Sequence, residues 1–106
     1  MYAYTPSTDT WTTVASLPAA RDFLRATTGP DGRIYAIGGH PEGENLNPVE
    51  AYNPSTNTWT TVASMPTVRG QLAATTGRDG RIYVIGGGGN VGFLNTVEAL
   101  VFSSSK

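Results

Sequence analysis

"RIYAIGGH" at residues 33–40 returns as "RIYVIGGG" at residues 81–88. Each copy alternates large β-branched and aromatic residues, then runs into two glycines. Such residues suit a pleated, packed surface. Both faces of the run are apolar, which predicts a strand covered on both sides. The glycine pair predicts a sharp exit, where a positive φ or a close backbone approach leaves no room for a side chain. A glycine pair can also belong to a phosphate-binding loop, but no helical segment follows to present its N-terminus to an anion.

The phrase sits inside a longer repeat. With a shift of 48, 31 of the 48 positions in 4–51 match those in 52–99. A period of this size marks a propeller blade or a solenoid unit. Thr, Gly, Tyr and Val are abundant while Leu, Glu and Lys are scarce, which favours the all-strand blade. Each unit divides into four predicted strands: 24–29 and 72–77, 33–39 and 81–87, 47–52 and 95–102, then 10–14 and 58–62. "PDGR" and "RDGR" join the first two strands through Asp-Gly, whose residues tolerate positive φ. "NPSTNT" joins the last two through residues that each favour turns.

Composition narrows the function. A formal net charge of −1 over 106 residues gives no basic surface for nucleic acid or acidic membrane. There is no cysteine, hence no disulfide framework and no thiolate site. "MYAYTPSTDT" lacks the basic start and apolar core of a signal peptide, and no apolar run approaches the ~20 residues of a membrane helix. A soluble domain of undetermined compartment is expected.

The pattern resembles the kelch repeat. The matching residues are Gly38-Gly39 and Gly86-Gly87 after the second strand and Tyr52 before the turn. Trp11 and Trp59 in the fourth strand match as well, as do Pro18/Arg21 and Pro66/Arg69 in the following loop. The resemblance implies a β-propeller of four-stranded antiparallel blades, commonly six or seven, serving mostly as a binding scaffold. Two repeats, about 4–51 and 52–99, supply about two blades, too few for a ring of four to eight. A bare blade face of roughly 500 Å² is worth on the order of 10 kcal/mol at ~25 cal/mol/Å². Other copies of the chain are therefore expected to cover it, as a C3 homotrimer of six blades or alternatively a C4 tetramer. One blade, 24–62, would be internal; the other would be split between neighbouring chains, with 97–102 receiving strand 10–14 of the next copy. Met1–Tyr4 competes for the same slot as 97–102, which is longer and more apolar, and is expected to be displaced or to pack outside. The tail 103–106 is expected to fray. The closeness of the two copies suggests recent duplication, an engineered protein or a truncated fragment.

The loops before the first strand and after the second should share the ring face that kelch domains use for binding. The two copies diverge there, which singles out Arg21, Asp22, Phe23, Arg25, Arg69 and Gln71 for a protein, peptide or sugar ligand. Arg21 and Arg69 would line the channel mouth, where guanidinium forks suit carboxylates. Alternatively each pairs with Glu50 or Glu98, or bonds loop carbonyls. His40 is the lone histidine; it and Glu42 read as surface loop residues, and Phe93 as a loop aromatic. Trp11 and Trp59 read as packing between blades. No nucleophile–base–acid set appears, and the copper site of some kelch enzymes needs Cys and His in numbers absent here. The expectation is a non-enzymatic scaffold without cofactor or metal, with a fragment of a sugar-processing kelch enzyme as the alternative.

Overall fold

The computed structural model describes residues 1–18, 20–39, 49–67, 69–89 and 92–101. Among them there are strands and no helix. The strands are β1 (Tyr2–Thr5), β2 (Thr10–Thr13), β3 (Arg25–Thr28), β4 (Ile34–Ile37), β5 (Val49–Asn53) and β6 (Thr58–Val62). They continue with β7 (Ala73–Thr76), β8 (Ile82–Ile85), β9 (Gly88–Gly89), β10 (Gly92–Phe93) and β11 (Val97–Leu100). The antiparallel sheet β3-β4-β5-β6 is the first repeat unit complete. The second unit, in the order β11-β8-β7, has three strands and an open edge at β11. Its register repeats the first: Ile34 faces Tyr52, and Ile82 faces Leu100.

The core lies between the two sheets. Tyr35, Ile37, Val49 and Ala51 of the first pack against Ile82 and Val84 of the second, with Met65 and Leu72 between them. Strands alternate faces, so Tyr83 and Ile85 point away from this seam. Coverage of both faces therefore holds for β4 and fails for β8. Ile37 is 1% exposed and Ile85 43%; Val49 is 4% exposed and Val97 55%. Among the described residues the first sheet has a neighbouring sheet on that face and the second has none. At the inner edge β3 runs beside β7: Thr27 Oγ1 lies 3.1 Å from Thr76 Oγ1, which donates to Thr28 O at 2.6 Å.

The β3–β4 turn refines its sequence reading. Only Gly32 takes positive φ (82°), and Gly32 N donates to Gly29 O at 3.1 Å. Pro30 and Asp31 fill the two central places of a type I turn, and the glycine adds the left-handed residue of a three-residue hairpin. Gly80 repeats this with φ 82°.

The two ends of the repeat take different places: β11 holds the third-strand place beside β8, while β1 lies outside that sheet and pairs with β2, Tyr2 facing Thr13 and Tyr4 facing Trp11. Strand β2 closes a local hairpin because β1 is five residues upstream, whereas β11 lies in another sheet. The small β9–β10 hairpin lacks any alternation that a sequence reading can use, since three of its four residues are glycine. The tail 103–106, His40, Glu42 and the first residues of the predicted third strand (47–48) lie outside the described residues.

Candidate interaction surface

The loops leaving the fourth strands and the second strands meet at one end of the sheets. Each loop leaving a fourth strand carries one arginine, Arg21 or Arg69. Arg69 is 0% exposed. Its Nη1 donates to Gly86 O at 2.9 Å and Thr96 O at 3.0 Å, and its Nη2 to Thr96 Oγ1 at 2.8 Å. Glu98 Oε1 lies 3.1 Å from Nη2, and Glu98 Oε2 accepts from Thr67 Oγ1 at 2.7 Å. Arg21 repeats the arrangement: Nη1 donates to Gly38 O at 3.1 Å, and Nη2 bonds Glu50 Oε1. The arginine thus ties three sequence signals together: the P-x-x-R loop, the first glycine of the pair, and the third-strand glutamate. Both guanidinium groups are held inside the loop architecture, beneath the surface assigned to them as ligand contacts.

Above them the described loop residues are open. Asp22, Phe23, Arg25 and Gln71 are exposed, Phe23 at 51%. Phe23 and Gln71 occupy the same repeat position and share positive φ, 57° and 52°. Gln71 N donates to Phe23 O at 3.0 Å, which fixes one of these strained residues against the other. Among the described residues Arg25 Nη1 donates to its neighbour's carbonyl, Leu24 O, at 3.3 Å. Phe93, on β10, is 99% exposed. Sequence reasoning grouped the two buried arginines with these exposed residues because all lie in divergent loops; their common spacing from Glu50 and Glu98 was the signal that separates them.

The opposite end is stapled by a second repeated network. Asp31 Oδ2 accepts from Tyr35 OH at 2.6 Å and Arg33 Nε at 2.9 Å; Asp79 Oδ2 accepts from Tyr83 OH at 2.5 Å. Burial, then the bond to Asp31, pushes the Tyr35 phenol up to about 12. Burial opposes ionisation of Asp31, but the bonds from Tyr35 and Arg33 outweigh it and hold the carboxyl below its usual range. Bonds from Tyr83 and the Arg81 N–H do the same for Asp79. An unfolded tyrosine ionises near 10. Thermal stability should therefore be level up to about pH 10 and fall towards about pH 12, where folded Tyr35 ionises. At the acid side, stability present above the ordinary carboxylate range should be lost as pH falls through the lowered values of Asp31 and Asp79. Melting curves across pH check both limbs, and Tyr35→Phe should flatten the alkaline one.

Among the described residues no group of His, Asp and Glu could hold a metal ion, and no helix is long and apolar enough to cross a membrane.

An all-β chain built of two repeated antiparallel units, one of four strands and one of three, with glycine-pair exits and arginine-tied loops, belongs to the class of β-repeat folds. The family model described as Kelch motif matches residues 24–66. The chain carries a kelch motif there, running from the start of β3 to the loop beyond β6. None of the curated proteins matches the chain.

Proposed function

We propose that this chain is a protein-interaction scaffold that completes itself by head-to-tail association of copies into a closed ring, three copies giving six blades. Kelch motifs in general serve as interaction modules. The observation that carries the assembly is the contrast between Ile37 and Val49, 1% and 4% exposed, and their equivalents Ile85 and Val97, 43% and 55% exposed. The second unit presents the apolar face that the first unit buries, and the first unit's other face carries Ile34 and Ala36 where the second uses Ile82 and Val84. In the ring one copy's bare face would meet the next copy's Ile34 and Ala36, Ala36 being already 3% exposed in the single chain, as Ile37 and Val49 meet Ile82 and Val84 inside it. Gly39 N donates to Arg69 O at 3.2 Å across the internal seam, and in the ring Gly87 N would make the equivalent bond to Arg21 O of the next copy. A heterologous contact of this kind closes into a ring when its rotation allows. The exposed Asp22, Phe23, Arg25 and Gln71 would then recur around one end of the ring as the ligand-facing surface.

Native mass spectrometry and sedimentation at micromolar concentration test this. The expected result is a species of three copies, reduced to single chains by Ile85→Asp with the circular dichroism of the sheets retained. A compact single chain at the same concentration overturns it.

A further inference from the structure

The hairpin β1–β2 repeats the ring contact and the tyrosine hydroxyl bond of β5–β6 at its tip. Tyr4 and Trp11 have ring centroids 5.1 Å apart at 49°, and Tyr52 and Trp59 5.2 Å apart at 49°. Tyr4 OH donates to Asp9 Oδ1 at 2.6 Å, and Tyr52 OH to Asn57 Oδ1 at 2.7 Å. The surroundings differ. Trp59 Nε1 donates to Ala15 O at 3.0 Å and Asn57 Oδ1 accepts from Ala15 N at 2.9 Å, whereas every residue of β1 and β2 is exposed and Trp11 is 67% exposed. A two-stranded hairpin alone is marginal in water.

The residue 48 places after Ala15 is Ala63. It lines an apolar cavity of about 200 Å³ with Met65, Pro66, Ala99 and Leu100, beside the open edge of β11. Transferring the β5–β6 register to β11 sets Leu100 opposite Trp11, Ala99 opposite Thr12 and Glu98 opposite Thr13. Directly opposed residues share a face, so Trp11 would enter this cavity, with its Nε1 at Ala63 O and Asp9 at Ala63 N.

Either the whole hairpin docks there, displacing β11, or β2 crosses alone and leaves β1 behind. Arg69 decides between them. Were β1 to take the β11 slot, Tyr2 would stand where Glu98 stands, and a fully buried guanidinium would lose its carboxylate, a strongly unfavourable change. We infer that β1 is a placeholder: it covers the edge of β2 in the single chain and is expelled when β2 pairs with β11 of a second copy. The inference rests on the self-assembly proposed above.

A placeholder lowers apparent affinity by the fraction of chains whose β2 is free. Deleting residues 1–5 should tighten assembly about tenfold if one chain in ten is competent. The chain has no cysteine, so engineered pairs report pairing directly, directly opposed residues being close enough to bridge. Oxidised Ala99→Cys/Thr12→Cys should give covalent multimers. Oxidised Ala3→Cys/Thr12→Cys, bridging residues opposed in the hairpin, should assemble at least about tenfold more weakly than the same variant reduced. If the parent chain assembles but the deletion does not tighten it and the Ala3–Thr12 bridge does not weaken it, the placeholder is overturned while self-assembly stands. If neither parent nor deletion variant assembles, self-assembly itself falls and takes the placeholder with it.

Discussion

Glu98→Ala should destabilise the chain by about 3–5 kcal/mol, the cost of leaving a buried charge without its partner. Arg69 keeps its place in that variant, 0% exposed, because its other bonds to Gly86 O, Thr96 O and Thr96 Oγ1 persist. Those are dipoles and cannot neutralise the guanidinium. Thr67 Oγ1 also loses its acceptor. Urea unfolding followed by tryptophan fluorescence reads the loss as a lower midpoint at unchanged slope. Arg69→Met/Glu98→Leu should recover only part of it. The uncompensated charge is gone and Thr96 O keeps the Gly86 N–H at 3.1 Å, but Gly86 O loses the Arg69 donor, and a buried unmet acceptor costs about 1–3 kcal/mol. A full recovery, or a loss below about 1 kcal/mol in Glu98→Ala, would mean that the arginine is solvated and available to ligands after all.

The strand plan was legible because it is written in side-chain alternation and then written again. The second copy confirms each element of the first, down to the register that sets Ile34 on Tyr52 and Ile82 on Leu100. The two roles of the glycine pair were legible from residue type, since few other residues combine left-handed φ with close approach. The arginines were half legible: Glu50 and Glu98 were visible partners, but linear sequence does not say which of two compatible acceptors, a ligand carboxylate or the chain's own, lies nearer in space. The β1–β11 competition was legible as a conflict and not as an outcome. Two segments of the same repeat phase can occupy one slot, and hairpin closure, not apolarity, sets the partner in a single chain. The strain at Phe23 and Gln71 was hidden, because neither residue type advertises positive φ; only their equivalence in the repeat links them.

The glycine pairs give a sharper test of assembly than any bulky substitution. Gly38 has φ +68°, and a Cβ there would lie 2.5 Å from Arg69 O and 2.7 Å from Leu72 Cδ2, both in the neighbouring unit. Gly38→Ala should cost about 2–5 kcal/mol, left-handed strain of about 1–2 kcal/mol plus overpacking of about 1–3 kcal/mol. Gly86 occupies the same place in the second unit with φ +64°, yet among the described residues a Cβ there meets nothing nearer than Leu94 O at 3.4 Å. Gly86→Ala should therefore cost the single chain only about 1–2 kcal/mol of backbone strain. In a head-to-tail ring, however, Gly86 would face Arg21 O and Leu24 of the next copy as Gly38 faces Arg69 and Leu72. The same methyl group would then collide at every joint between copies. Gly86→Ala is thus expected to fold, to melt slightly early, and to remain a single chain in sedimentation at concentrations where the parent assembles. Should Gly86→Ala assemble as the parent does, the joint between copies cannot copy the seam within the chain, and the head-to-tail geometry is wrong even if the protein is oligomeric.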